Sequence, residues 1–149
     1  MGLKERLKED LTASMRSRDE VRTGTIRMVL TAITNEEVSG KEMRTLADAE
    51  IITVLSREAK KRREAAEAFD SAGSKDRADL ERKESEIIAQ YLPAQLSEAE
   101  LKEMIAAAIA ESGATGPAGM GLVMKVLSPK IAGRADGAAV SAAVKAALN

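Results

Sequence analysis

The sequence predicts an all-α protein. Apolar residues recur at spacings of three and four along almost the whole chain, no run alternates with a strand's period of two for more than a few residues, and β-branched and aromatic side chains are sparse. The 149 residues are 44% hydrophobic and 32% charged, with one Phe and one Tyr, which is apolar enough for a core and argues against disorder. At this length one domain or two small ones are the options.

The first helix is marked by Leu3, Leu7, Leu11 and Met15, one apolar seam among Lys, Glu, Arg and Asp. Asp19 stands where a cap for a second helix belongs, and Ile26, Val29, Leu30 and Ile33 then share one face before Ser39-Gly40 stops it. A third helix begins near "TLADAEI", with Thr45 and Asp48 competing as its cap, and carries Ile52, Leu55, Ala59, Ala66 and Phe69 inward. Its run Lys60-Lys61-Arg62-Arg63 looks like a nucleic-acid patch. Consecutive helical residues step by about 100°, however, so the run covers every face, and with Glu58, Glu64 and Glu67 nearby it reads as ion-paired surface. "DSAGSKD" is a turn, after which a fourth helix presents Leu80, Ile87, Ile88 and Tyr91. Four such helices joined by short polar turns predict an antiparallel bundle over residues 1–92.

The boundary falls at "QYLPAQLSEAEL", where Pro93 lacks the amide hydrogen that a continuing helix needs. Ser97 and Glu100 form an S-x-x-E capping box, with Leu96 and Leu101 at the hydrophobic staple positions. The helix they start buries Leu101, Met104, Ile105, Ala108 and Ile109 and stops at Ser112-Gly113. Another is expected over roughly residues 119–128 with Leu122, Val123, Val126 and Leu127 apolar, and a last one from Asp136 with Val140, Val144 and Leu148. Residues 93–149 are thus predicted to be a three-helix domain.

Absences exclude several chemistries. With no Cys and no His, disulfides, thiol nucleophiles, the commonest zinc ligands and the imidazole base are all missing, so no cofactor or metal site is expected. One Phe and one Tyr give no platform for stacking single-stranded bases. A net charge of -1 argues against indiscriminate nucleic-acid binding and against DNA as a partner. No apolar run approaches a membrane span, and "MGLKERLKED" has charges where a signal peptide needs its apolar core. Arg6 stands where a myristoylation signal behind Gly2 would need Ser or Thr. A cytoplasmic location is expected.

One stretch carries a candidate site, "MGLVMKVLSPKIAGRADGAAV". From Ser112 to the end the chain has Lys125, Lys130, Arg134 and Lys145 against Asp136 alone, so positive charge is concentrated here. Pro129 is expected to end or kink the preceding helix, Gly133 to take a left-handed conformation, and Asp136 to cap the next helix. One reading is a plain connection whose glycines serve geometry and whose lysines supply solubility. The other is a corner that grips the phosphates of a folded RNA, with Arg134 the best single candidate because its fork can make two bonds to one phosphate.

The stretches "YLPAQLSEAEL" and "MGLVMKVLSPKIAGRADGAAVSAAVKAAL" closely resemble the YqeY family, the GatB/YqeY group of small bacterial proteins, and "RLKEDLTASMRSRDEVRTGTIRMVLTAITNEE" and "EAKKRREAAEAFDSAG" extend the resemblance over nearly the whole chain. It implies a bundle to about Leu92 followed by three helices similar to the tail of the B subunit of a tRNA-dependent amidotransferase, which in that enzyme helps hold tRNA. A related module is appended to some glutaminyl-tRNA synthetases. The tail's V-M-K falls on Val123-Met124-Lys125. Its G-K-A-N-P falls on Gly133-Arg134-Ala135-Asp136-Gly137, where Asp136 replaces Asn and adds a negative charge, and Gly137 replaces Pro.

The leading expectation is a tRNA-binding accessory module without catalysis of its own. The resemblance also carries the label of a carbon-nitrogen ligase using glutamine as amido donor. However, it reaches only that enzyme's tail, and neither a Cys nucleophile nor a G-x-x-x-x-G-K-[ST] phosphate loop is present. A third reading is a helical adaptor for a synthetase or amidotransferase.

Overall fold

A computed structural model describes residues 1–149. It is all-helical: α1 (Leu3–Ser17), α2 (Glu20–Glu37), α3 (Asp48–Ser71), α4 (Lys75–Ala89), α5 (Glu98–Ser112), a 3-10 turn (Pro117–Gly119), α6 (Met120–Ile131) and α7 (Gly137–Leu148). The chain divides into two compact units, Met1–Leu92 and Pro93–Asn149.

The core of the first unit is built from Leu7, Ile26, Val29, Ile33, Leu46, Ile51, Val54, Leu55, Ala59, Ile88 and Tyr91. Asp19 caps α2, its carboxylate accepting from the Arg22 amide at 3.1 Å. Other expectations are corrected by helical geometry. Met15 is exposed and Ser14 takes the buried position, because a strict four-residue repeat drifts by about 40° per step, carrying Met15 about 120° away from Leu3. Ser14 shares its hydroxyl with Thr23 at 2.8 Å, so a hydrogen bond closes the end of the α1–α2 seam. On α3 it is Ile51, not Ile52, that is buried. On α4 Leu80 faces solvent while Ala78 and Ser85 turn inward.

Neither Thr45 nor Asp48 caps α3. The cap position is Ala47, whose amide donates to the Glu50 carboxylate at 2.9 Å. Asp48 instead accepts from the Leu3 amide at 3.1 Å, serving the start of α1 from 45 residues away. The Lys60–Arg63 run divides around its helix. Arg62 is buried, donating to Glu58 at 2.9 Å and to Glu84 at 3.2 Å, while Lys61 pairs with Glu58 outside. Glu37 is also buried and accepts from Lys4 at 2.6 Å and from the Leu46 amide at 3.2 Å. The bond from Lys4, then that from Leu46, holds its carboxyl below the usual range.

Tyr91 is 4% exposed and follows the end of α4. Its hydroxyl bonds the Asp10 carboxylate and accepts from Arg22 at 3.2 Å, with the Arg6 guanidinium 4.7 Å from the ring centre. Burial, then the bond to Asp10 and its charge, pushes the phenol up to about 12. The folded state therefore favours the neutral phenol, and this contribution is complete below the unfolded value of about 10 and lost as pH rises toward 12. Denaturant titrations of Tyr91→Phe should show a flatter pH dependence of stability in that window than the natural chain. Equal slopes would mean that the phenol is neither buried nor bonded to Asp10 in solution.

Two residues near the α1–α2 turn break local rules. Arg18 closes α1 in the left-handed region at φ 60°, a conformation that costs a side-chain-bearing residue about 1 kcal/mol and glycine almost nothing. Gly24 lies exposed inside α2, and a Cβ added there would meet nothing within 4 Å. An exposed helical glycine of this kind costs roughly 0.5–1 kcal/mol relative to alanine.

The second unit has its own core of Ile105, Ala108, Val123, Leu127, Ile131, Val140, Val144 and Leu148, and each of its three α-helices packs on the other two. Ser97 caps α5, accepting from the Glu100 amide at 3.1 Å, and Gly113 closes it at φ 68°. Gly119 is required by a close approach, since a Cβ there would sit 2.5 Å from that of Ala114. Pro129 does not end α6, which continues to Ile131. Pro129 lies about 200° around the helix from the midpoint of Val123, Leu127 and Ile131 and is exposed. The carbonyl it leaves without a helical donor, that of Lys125, can therefore turn to water. Leu122 faces outward too, at 56% exposure.

No helix is long and apolar enough to cross a membrane.

Candidate nucleic-acid interface

The turn between α6 and α7 is fixed by local chemistry. Gly133 takes φ 73°, a left-handed conformation that any side chain would strain. The Arg134 amide donates to the Ile131 carbonyl at 2.8 Å, and Asp136 caps α7 by accepting from the Ala139 amide at 3.2 Å. Gly137 is the first residue of α7, a position where proline is favoured and glycine also fits.

This turn also binds the segment that leads into α5. The Leu96 amide donates to the Arg134 carbonyl at 2.9 Å, Arg134 Nε donates to the Ala94 carbonyl at 3.0 Å, and Gln95 Nε2 donates to the Gly133 carbonyl at 2.7 Å. The stretches "PAQLS" and "AGRAD", 38 to 40 residues apart in these bonds, thus form one latch. Sequence reasoning noticed both stretches without pairing them. Two Gly- or Pro-marked turns flanking one helical layer were the available signal.

The four cations do not form a single cluster. Lys125 is exposed on the outward face of α6, opposite the core. Lys130 lies about 140° further around the same helix and pairs with Glu111 of α5 at 3.2 Å. With both side chains more than half exposed, at 53% and 59%, that pair is worth roughly 0–1 kcal/mol and can exchange for a phosphate. Arg134 is partly buried and uses one edge of its guanidinium on Ala94. Lys145 is exposed in the last turn of α7, and Met124 is partly buried against the core. The charge is divided between the elements: α5 carries Glu98, Glu100, Glu103 and Glu111 against Lys102, whereas everything beyond it carries four cations against Asp136.

On another side of the same unit, α5 and α7 flank an open apolar groove of about 820 Å³, walled by Leu101, Ile105 and Ile109 and by the alanines of α7, with Glu98 and Lys102 among its polar residues. No group of three or more carboxylates lies close enough to hold a metal ion.

The family model described as "Yqey-like protein" matches residues 4–148. The chain is also similar to altered inheritance of mitochondria protein 41, mitochondrial, of Clavispora lusitaniae, at 34% identity over 101 residues, covering 66% of this chain and 58% of that relative. The match thus spans less than two thirds of the relative's length.

Proposed function

The chain belongs to the YqeY-like family, and from that premise we propose that it is a non-catalytic accessory protein of tRNA metabolism. In this reading the second unit holds folded tRNA by its phosphates, through Lys125, Lys145, the exchangeable Lys130 and the fork of Arg134, and the protein works in the cytoplasm. The observation that carries it is the separation of charge within one small unit, with the acids on α5 and the cations on α6, the turn and α7. Shape recognition through phosphates needs no aromatic platform, which suits a chain with one Phe and one Tyr.

Because Arg134 also anchors the latch, the exposed lysines give the cleaner test. Binding of labelled tRNA to the full chain should show a log-log salt slope of roughly -2 to -4, and Lys125→Gln with Lys145→Gln should flatten it by about 2. Absence of binding at low salt would end this reading.

The apolar groove between α5 and α7 favours a second reading, an adaptor for a synthetase or amidotransferase, whose binding would be nearly insensitive to salt. Glutamine hydrolysis or amide transfer by the purified chain would replace both with the carbon-nitrogen ligase.

A further inference from the structure

We infer that the exposed face formed by the α1–α2 turn and the first half of α2 is a second phosphate-contacting surface for the same RNA, one that rests on the tRNA reading above and extends it to the first unit. Two rule-breaking residues lie six positions apart on this end of the bundle. Arg18 occupies a left-handed cap where glycine would be relaxed, and Gly24 occupies an exposed helical position where alanine would be. Neither choice serves the fold. Where local preference is overruled without a packing reason, the reason is usually external.

What the face presents points to a polyanion. Glu20, Gly24, Arg27 and Thr31 fall within about 60° of one another around α2, and all are exposed. The Arg27 guanidinium rests on the Met15 thioether at 3.2 Å, a neutral acceptor, whereas Arg44, Arg57, Arg62 and Arg82 all meet carboxylates. This contact joins the α2 stripe to the end of α1, where Arg16 and Arg18 are exposed. Two acids oppose these cations, and one of them, Asp19, holds its carboxylate in place on the Arg22 amide as the cap of α2. Glu20, on the stripe itself, is the other. Gly24, next to Arg27 on the stripe, lets a phosphate backbone come close to the helix, and the arginines supply the forked donors that phosphate accepts.

The proposal predicts stability and binding to move in opposite directions, which a purely structural role does not. In the full chain, Gly24→Ala should raise the Tm by about 2–4 °C yet weaken binding of labelled tRNA about threefold. Arg18→Gly should also raise the Tm, and Arg18→Gly combined with Arg27→Gln should weaken binding about tenfold and reduce the salt slope by about 2. Glu20→Gln should tighten binding. If these variants bind with the natural affinity and slope while Lys125→Gln with Lys145→Gln still weakens binding, the second surface is overturned and the tRNA reading survives. If the natural chain binds no tRNA, both fall.

Discussion

Leu127→Ala is expected to destabilise the Pro93–Asn149 unit by about 3 kcal/mol. Leu127 is fully buried between α6 and its neighbours, and a helical unit of this length rarely has more than roughly 3–5 kcal/mol in total. The loss of contacts and the cavity left behind therefore consume most of its stability. Hydrogen exchange should show protection falling about a hundredfold across α5, α6 and α7, while the slowest amides of α1 to α4 keep theirs. The control is Leu122→Ala on the same helix, which removes a side chain 56% exposed and should change stability by less than about 0.5 kcal/mol. Equal losses from the two substitutions would mean that the face of α6 is wrongly assigned.

Arg62→Ala is expected to cost the first unit about 3 kcal/mol. The Arg62 side chain is 5% exposed and bridges Glu58 and Glu84, themselves 14% and 19% exposed. Removing it leaves the largely buried Glu84 without a cation, Glu58 with Lys61 alone, and a void where its stem packed. Burial pushes the Glu58 carboxyl up, but hydrogen bonds from Arg62 and then Lys61 outweigh that and leave it below its ordinary range. A depressed carboxyl contributes stability above its unfolded value, about 4.5, and loses it as pH falls through the folded one. Arg62→Ala should therefore lose part of the acid-side fall in stability as well as stability at neutral pH. Replacing Arg62 and Glu84 together with apolar side chains, Arg62→Met with Glu84→Leu, should recover part of the loss, since Lys61 still pairs with Glu58. Urea titrations at pH 7 and pH 4 separate these outcomes. A neutral Arg62→Ala would show that the bridge is solvated.

The two readings of the Lys60–Arg63 run show how far periodicity reaches. Four residues in succession must cover the whole circumference of a helix, and that alone predicts that they form no single patch. Which of the four turns inward depends on where α4 lies, because Glu84 from that helix adds the second carboxylate that Arg62 meets beside Glu58 of its own helix. The same holds for caps. Asp19 and Ser97 were legible because a cap bonds its own helix within three residues, whereas Asp48 serves a helix 45 residues away.

Arg134 divides in the same manner. Its place on a glycine turn and its positive charge were legible, as were Gly133's left-handed conformation and Asp136's cap, since each follows from the immediate sequence. Its bond to Ala94, and the pairing of Gln95 with Gly133, join segments that no local rule relates.

The sequence by itself determined the helical class, the number of helices, most of the apolar faces, and the separation of charge in the last third of the chain. These depend on propensity and on the 3.6-residue period, which act between neighbours. Only the tertiary structure decided that Arg62 is buried, that Met15 and Leu80 are not, that Lys130 meets Glu111, and that the segment before α5 is latched to the turn before α7. Burial and long-range hydrogen bonds depend on which surfaces meet, and that is settled by packing whole helices against one another.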